Sequence, residues 1–351
     1  MNDVRAMLID AATRLFSEQV DGKTLAAAKE HGSSPALWKI VEEAQLPYVA
    51  VAEEAGGAGG ALSDLAAVVR IAGRYAAPVP LVETALAAWL LAGAGLEIPA
   101  GPLTLAVHGE KISFKKNGTT HAVSGALKRV PFARIAGHIV VLASATDGDF
   151  VACVEAAKCR ITPGRNLAFE PRDGVALDNV EATCAALAQP RVTHEAIRER
   201  GALMRSLQMA GALERALELS VRYATERSQF GRKIGHFQAI QHELARFAGE
   251  VAAAVAAALS AAGAVERGQN ATFAVGSAKI RTAQAAQEGA SIAHQVHGAI
   301  GVTDEYALHH ATLRLWSWRE EFGNEAAWSI DLGRALCAAG ADNLWPTLTA
   351  D

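Results

Sequence analysis

From Thr193 to Ala339 the chain is written almost throughout in a three-to-four-residue apolar period, rich in alanine. No other feature constrains the fold as strongly. The spacing predicts long helices over 194–226, 237–267, 271–297 and roughly 304–322, with a shorter one near 325–339. Small residues let helix axes approach closely, so these segments read as a close-packed four-helix bundle.

The segments before it have a different character. Apolar positions at helical spacing cover 3–18 and 24–45, and a glycine-rich turn at Gly56–Gly60 leads into a helix ending near Tyr75. Ala76-Ala-Pro-Val-Pro80 breaks that helix, and another apolar helix is expected over about 81–94. Then come short β-leaning runs at Leu103–Val107, Lys111–Lys115, His121–Ser124, Ile139–Ala143 and Phe150–Glu155, separated by Gly, Asn, Asp and Pro. The reading is an α+β, mostly α chain in three parts: an N-terminal helical domain (1–100), a small central β domain (101–190) and a C-terminal bundle (191–351).

Charge and cysteine usage exclude several functions. The formal net charge is −4, and acids and bases are spread along the chain, which argues against nucleic acid as the main partner. Four separated cysteines (Cys153, Cys159, Cys184, Cys337) read as reduced core residues of a cytoplasmic protein. The apolar runs Thr84–Gly95 and Val251–Val265 are too short or too alanine-rich to predict membrane insertion. His294, His297, His309 and His310 lack a metal-binding pattern and are expected to be solvated or phosphate-facing. Gly56–Gly60 follows no convincing strand of a βαβ unit and reads as a permissive turn, not a phosphate loop. Trp316, Trp318, Phe322 and Trp328 are expected in core packing and subunit contact.

Two segments point to chemistry. Arg227-Ser-Gln-Phe-Gly-Arg-Lys233 forms a cationic turn between two helices, followed by Phe237-Gln238. Some seventy residues on stands Gln295-Val-His-Gly-Ala-Ile-Gly-Val-Thr-Asp-Glu-Tyr306. Together, and in this order, they resemble the Arg-x-x-Phe-Gly…Phe-Gln and Gln-x-x-Gly-Gly-x-Gly signatures of the acyl-CoA dehydrogenase family. Trp38–Asp64, Gly73–Pro80 and Val123–Lys128 extend the likeness over nearly the whole chain, although Ala52 stands where proline is usual.

The resemblance implies FAD, gripped at its adenosine diphosphate half by a neighbouring subunit through Arg227, Phe230, Phe237, Gln238, Gln295, Gly298 and Ala299. An arginine fork suits pyrophosphate, and a glycine admits close backbone approach. It also implies a glutamate base in a Tyr-Glu-Gly-Thr-like tetrapeptide. Here Glu321-Phe322-Gly323-Asn324 occupies that place, so Phe322 stands at the base position and Asn324 at the flavin-contacting threonine. The family's other base position aligns near Gly201. Glu321 is then the in-chain candidate base, its alternative being a solvated glutamate or one paired with Arg319. Lys128–Ala133 stands where a flavin-contacting tryptophan segment is usual.

The expected activity is α,β-desaturation of an acyl-CoA thioester, with electrons passing to an electron-transfer flavoprotein and the chain in a homotetramer or in a heterotetramer with a catalytic homologue. A non-catalytic FAD-gripping subunit and a helical scaffold without cofactor remain the alternatives at this point.

Overall fold

The computed structural model describes residues 2–106, 109–117, 120–145, 148–186, 193–269 and 271–349. Five helices come first: α1 (Asn2–Gln19), α2 (Gly22–His31), α3 (Pro35–Glu43), α4 (Leu62–Arg74) and α5 (Leu81–Gly93). Seven strands follow: β1 (Leu103–Ala106), β2 (Gly109–Asn117), β3 (Thr120–Pro131), β4 (His138–Ala145), β5 (Gly148–Glu155), β6 (Arg160–Thr162) and β7 (Arg172–Ala186). The rest is helical apart from one hairpin: α6 (His194–Glu226), β8 (Ser228–Gln229), β9 (Arg232–Lys233), α7 (Gln238–Arg267), α8 (Ala271–His297), α9 (Leu308–Arg319), α10 (Glu325–Ala339) and α11 (Leu344–Thr349). The expected end of the β segment at Gln189-Pro190, and the strand end at Val107, lie outside the described residues.

The chain sorts into two compact units, one of 23–65 with 78–198 and one of 1–22, 66–77 and 199–351. The sheet belongs to the first, with strand order β1-β4-β5-β7-β3-β2 and β6 added on β7. Among the described residues, only the β1–β4 pair is parallel; the other pairings are antiparallel. Val123, Leu127, Ile139, Val141, Val154 and Leu177 fill its core. The apolar helix α5 is fixed to β1 by Thr84, whose hydroxyl donates to Leu103 O (3.1 Å) and accepts from Leu103 N–H (3.0 Å).

Two sequence expectations change in this unit. The run 24–45 is two helices: Gly32 (φ +89°) ends α2, and Ser34 caps α3 by accepting from Leu37 N–H, with Pro35 in the first turn. The fifteen-residue β7 was not expected at all, yet it pairs with three other strands. The turn at Gly56–Gly60 consumes its own donors. Gly57, Ala58, Gly59 and Gly60 N–H groups bond Ala52, Tyr48, Val51 and Val49 carbonyls at 2.8–3.1 Å, which leaves none aimed at a phosphate.

In the second unit, α6 crosses α4 at backbone contact. A Cβ on Gly211 would lie 1.9 Å from Arg70 O, and one on Gly73 2.3 Å from Gln208 O, so only glycines fit the crossing. Two ion pairs flank it, Arg70–Glu214 (2.6 Å) and Arg74–Glu218 (3.1 Å). The α7/α8 pair packs Phe247 against Gly289, and α10 sets Trp328 against Gly276. Helix α7 has thirty residues and is, by length and composition, apolar enough to cross a membrane, which the shorter run Val251–Val265 did not suggest. Here it buries Phe247, Val251, Ala254, Ala258 and Ala261.

Candidate active site

The cationic turn is a two-residue hairpin. Phe230 (φ +51°) and Gly231 (φ +78°) form its corner between β8 and β9, both left-handed, as a tight hairpin turn requires. Phe230 is 91 % exposed and meets Phe237 edge-on with ring centroids 6.2 Å apart. Arg232 lies over the Phe237 ring at 4.1 Å, and Lys233 Nζ donates to Glu226 O at 2.6 Å. Arg227 is exposed, and no ion pair or side-chain hydrogen bond engages its guanidinium among the described residues. Gln238 and Gln295 are also exposed. Gly298 (φ +64°) opens the short 3-10 turn after α8, and a Cβ there would meet nothing within 4 Å. Ala299 is exposed beside it.

The hairpin and the Gln295–Ala299 turn are joined through aromatic rings. Arg227 N–H donates to Tyr223 O (2.8 Å), and the Tyr223 ring stacks on His297, centroids 4.7 Å apart. His297 also meets Tyr306 at 4.8 Å. A free arginine fork, an exposed aromatic, free amides and open backbone at Gly298 therefore fit the polyanionic and planar half of FAD.

The solvated reading of the histidines does not hold at His297 and His309, which are buried. His297 is 4 % exposed and His294 is half-buried, stacked on Trp316 at 5.8 Å. Burial pushes both imidazoles below their ordinary value, helped at His294 by neighbouring His297 and His309. Among the described residues, no three His, Cys, Asp or Glu side chains converge as metal ligands.

The two positions at which the resemblance expects a base meet each other. Phe322, in left-handed backbone (φ +56°), lays its ring on Gly201, so close that a Cβ on Gly201 would lie 2.2 Å from the ring. Its carbonyl accepts from Trp328 Nε1 at 3.0 Å. The spot is filled with carbon.

Glu321 is neither solvated nor paired with Arg319. Arg205 Nε donates to its Oε2 at 2.7 Å, and both side chains are sequestered (2 % and 12 % exposed). Arg205 also donates to Gln208 and lies 5.9 Å from both the Trp318 and Phe322 rings. Arg319 bonds Glu325 and Gln287 instead. Nearby Lys279, fully buried, donates to Trp318 O (3.2 Å) and Arg319 O (2.6 Å), the last carbonyls of α9. Desolvation brings its ammonium down from 10.5 to about 7, against the attraction of Glu321. Asn324 serves as N-cap of α10, accepting from Ala327 N–H at 3.0 Å. Sequence reasoning missed Arg205 and Lys279. Each is a lone charge inside an apolar helix face, which was the available signal.

Comparison with known proteins agrees with the geometry. A family model described as "Acyl-CoA dehydrogenase, C-terminal domain" matches residues 192–336. The chain is 30 % identical over 309 residues to acyl-CoA dehydrogenase IpdE2 of Mycobacterium tuberculosis, covering 87 % of this chain and 88 % of that protein. Its fold matches that of a Tcur3481-Tcur3483 steroid ACAD variant (TM-score 0.85, 26 % identity, 97 % and 99 % of the two chains). The ChsE4-ChsE5 complex of Mycobacterium tuberculosis shares the fold as well (TM-score 0.84, 22 % identity, 96 % and 98 % coverage). With the two signature turns joined in one unit and this degree of kinship, the chain belongs to the acyl-CoA dehydrogenase family and is an oxidoreductase of that type.

Proposed function

We propose that this chain works as one subunit of a heteromeric flavoenzyme, gripping the FAD of a homologous partner that supplies the catalytic base. The reaction is α,β-desaturation of an acyl-CoA thioester. When bound, FAD supplies the acceptor for the β-hydride. Arg227 holds the pyrophosphate through its two-pronged donor face, Gln238 and Gln295 bond the adenosine, Phe230 and Phe237 cover an apolar face, and Gly298-Ala299 let the backbone approach. Asn324 keeps its capping role and is at most a secondary flavin contact.

The observation that carries this reading is the Phe322 ring seated on Gly201. An α-proton next to a thioester needs a carboxylate with a raised pKa in a dry site. Neither base position offers one. Glu321, the in-chain candidate, has its Oε2 engaged by the buried guanidinium of Arg205. Its role here is to position Arg205. Heteromeric assembly in the ChsE4-ChsE5 relative supports the two-component form. Electrons leaving the flavin are expected to pass to an electron-transfer flavoprotein.

Turnover of the assembled enzyme decides the issue. Glu321→Gln should leave the pH dependence of turnover unchanged, whereas loss of activity with an unchanged fold would make Glu321 the base and overturn the reading.

A further inference from the structure

We propose that His297 is the positioning residue of the adenosine grip, the joint that holds the Arg227 hairpin at a fixed distance from the Gln295–Ala299 turn. This rests on the grip reading above and goes one step deeper. The two turns belong to different helices, α6 and α8, and ligand geometry demands that they keep one spacing. His297, the residue before Gly298, forms a three-ring cluster with Tyr223 of α6 (4.7 Å) and Tyr306 of the α8–α9 connection (4.8 Å), and the two tyrosine rings meet edge-on at 5.9 Å. Tyr223 in turn receives the Arg227 N–H on its carbonyl. Glycine at 301 lets the connection close over the ring, since a Cβ there would lie 3.0 Å from His297 Cβ.

The ring works in its neutral form. Its Nδ1 faces Ala293 O at 2.7 Å and must carry the hydrogen, because a carbonyl only accepts. No hydrogen bond of good geometry reaches Nε2, and burial outweighs the pull of the Ala293 and Leu219 carbonyls on the protonated ring. A proton placed at Nε2 puts a charge into a desolvated space. The titratable groups around it do not compensate. His294 lies on the same helix with His309 of α9 bearing on it, Tyr223 faces it from α6, and Tyr306 faces it from the connection. The charged Glu226, Arg222 and Arg215 act on Tyr306 rather than on His297. Acid should therefore loosen the joint and weaken FAD binding. A merely structural histidine would not tie ligand affinity to its own protonation.

The test is FAD dissociation, read by flavin fluorescence on the flavin-loaded protein in its native assembly, at about pH 7.5 and about pH 5.5. Wild type should bind roughly tenfold more weakly at the lower pH. His297→Phe keeps a ring against both tyrosines and cannot titrate. It should bind within about threefold of wild type at neutral pH and lose most of the acid effect. His297→Ala should weaken binding about tenfold at both values. The proposal is overturned if His297→Phe keeps the full acid effect, or if His297→Ala binds like wild type. Arg227→Ala separates the two levels: flavin lost in Arg227→Ala with His297 variants indistinguishable from wild type keeps the grip and removes the joint. Flavin retained in Arg227→Ala removes the grip itself and the joint with it.

Discussion

At the scale of single residues, the informative contact is Phe322 on Gly201, and with it the buried pair Arg205–Glu321. The pair should behave as structure rather than chemistry. Removing the carboxylate charge leaves Arg205 buried beside an amide, so Glu321→Gln should cost on the order of 3 kcal/mol in urea unfolding. A loss below about 0.5 kcal/mol would mean that the pair is solvated in solution. Lys279 makes a second prediction, through pH. Its amine is held at about 7 in the fold and at the ordinary 10.5 when unfolded, so between these values the unfolded chain binds more protons. Stability should rise as pH increases from about 7 to about 10, and the rise should vanish in Lys279→Met. A wild-type profile flat over that window would show that Lys279 stays charged. The resemblance alone implied that Phe322 stands at the base position. The sequence could not reveal that Glu321 pairs with a residue 116 positions away, because nothing local encodes that contact.

At the scale of elements, periodicity served the long helices well. The spacing read over 194–226 and 271–297 matches α6 and α8 at both ends. It failed for β7, and the reason is a bulge. Val175 and Leu177 face the core, then Asp178 and Asn179 intervene, and Val180 and Ala182 resume in the opposite phase. Asn179 takes left-handed backbone (φ +52°) and donates its N–H to Ser124 Oγ at 2.9 Å, which accommodates the slip in register against β3. An alternation that changes phase in mid-strand has no clean period to find. The α4–α6 crossing likewise depends on glycines whose partners lie far along the chain. Gly211→Ala should destabilise by roughly 2 kcal/mol or more, because its Cβ would press on Arg70 O rather than on a movable side chain. Gly249→Ala, on a helix face where a Cβ meets nothing within 4 Å, is the matched control and should be neutral or slightly stabilising. Equal thermal midpoints for the two variants would contradict the backbone contact.

At the scale of the whole molecule, the pieces divide unequally. The features that suit one end of FAD are present and free: Arg227, the exposed Phe230 corner, and open backbone at Gly298. Where the resemblance expects a base a phenyl ring lies on Gly201, and an arginine engages the candidate Glu321. In the proposed function, such a chain is completed by a relative that has what it lacks. The sequence disclosed this asymmetry in outline, since both signature turns and the missing base are local patterns. That the two turns are coupled through Tyr223, His297 and Tyr306 required the fold. The most direct measurement is flavin content together with native mass, for the chain expressed alone and with a longer homologue that carries an intact glutamate. The account predicts flavin retained only in the mixed assembly, and lost from it on Arg227→Ala. A yellow homotetramer of this chain alone, turning over acyl-CoA and inactivated by Glu321→Gln, would contradict it.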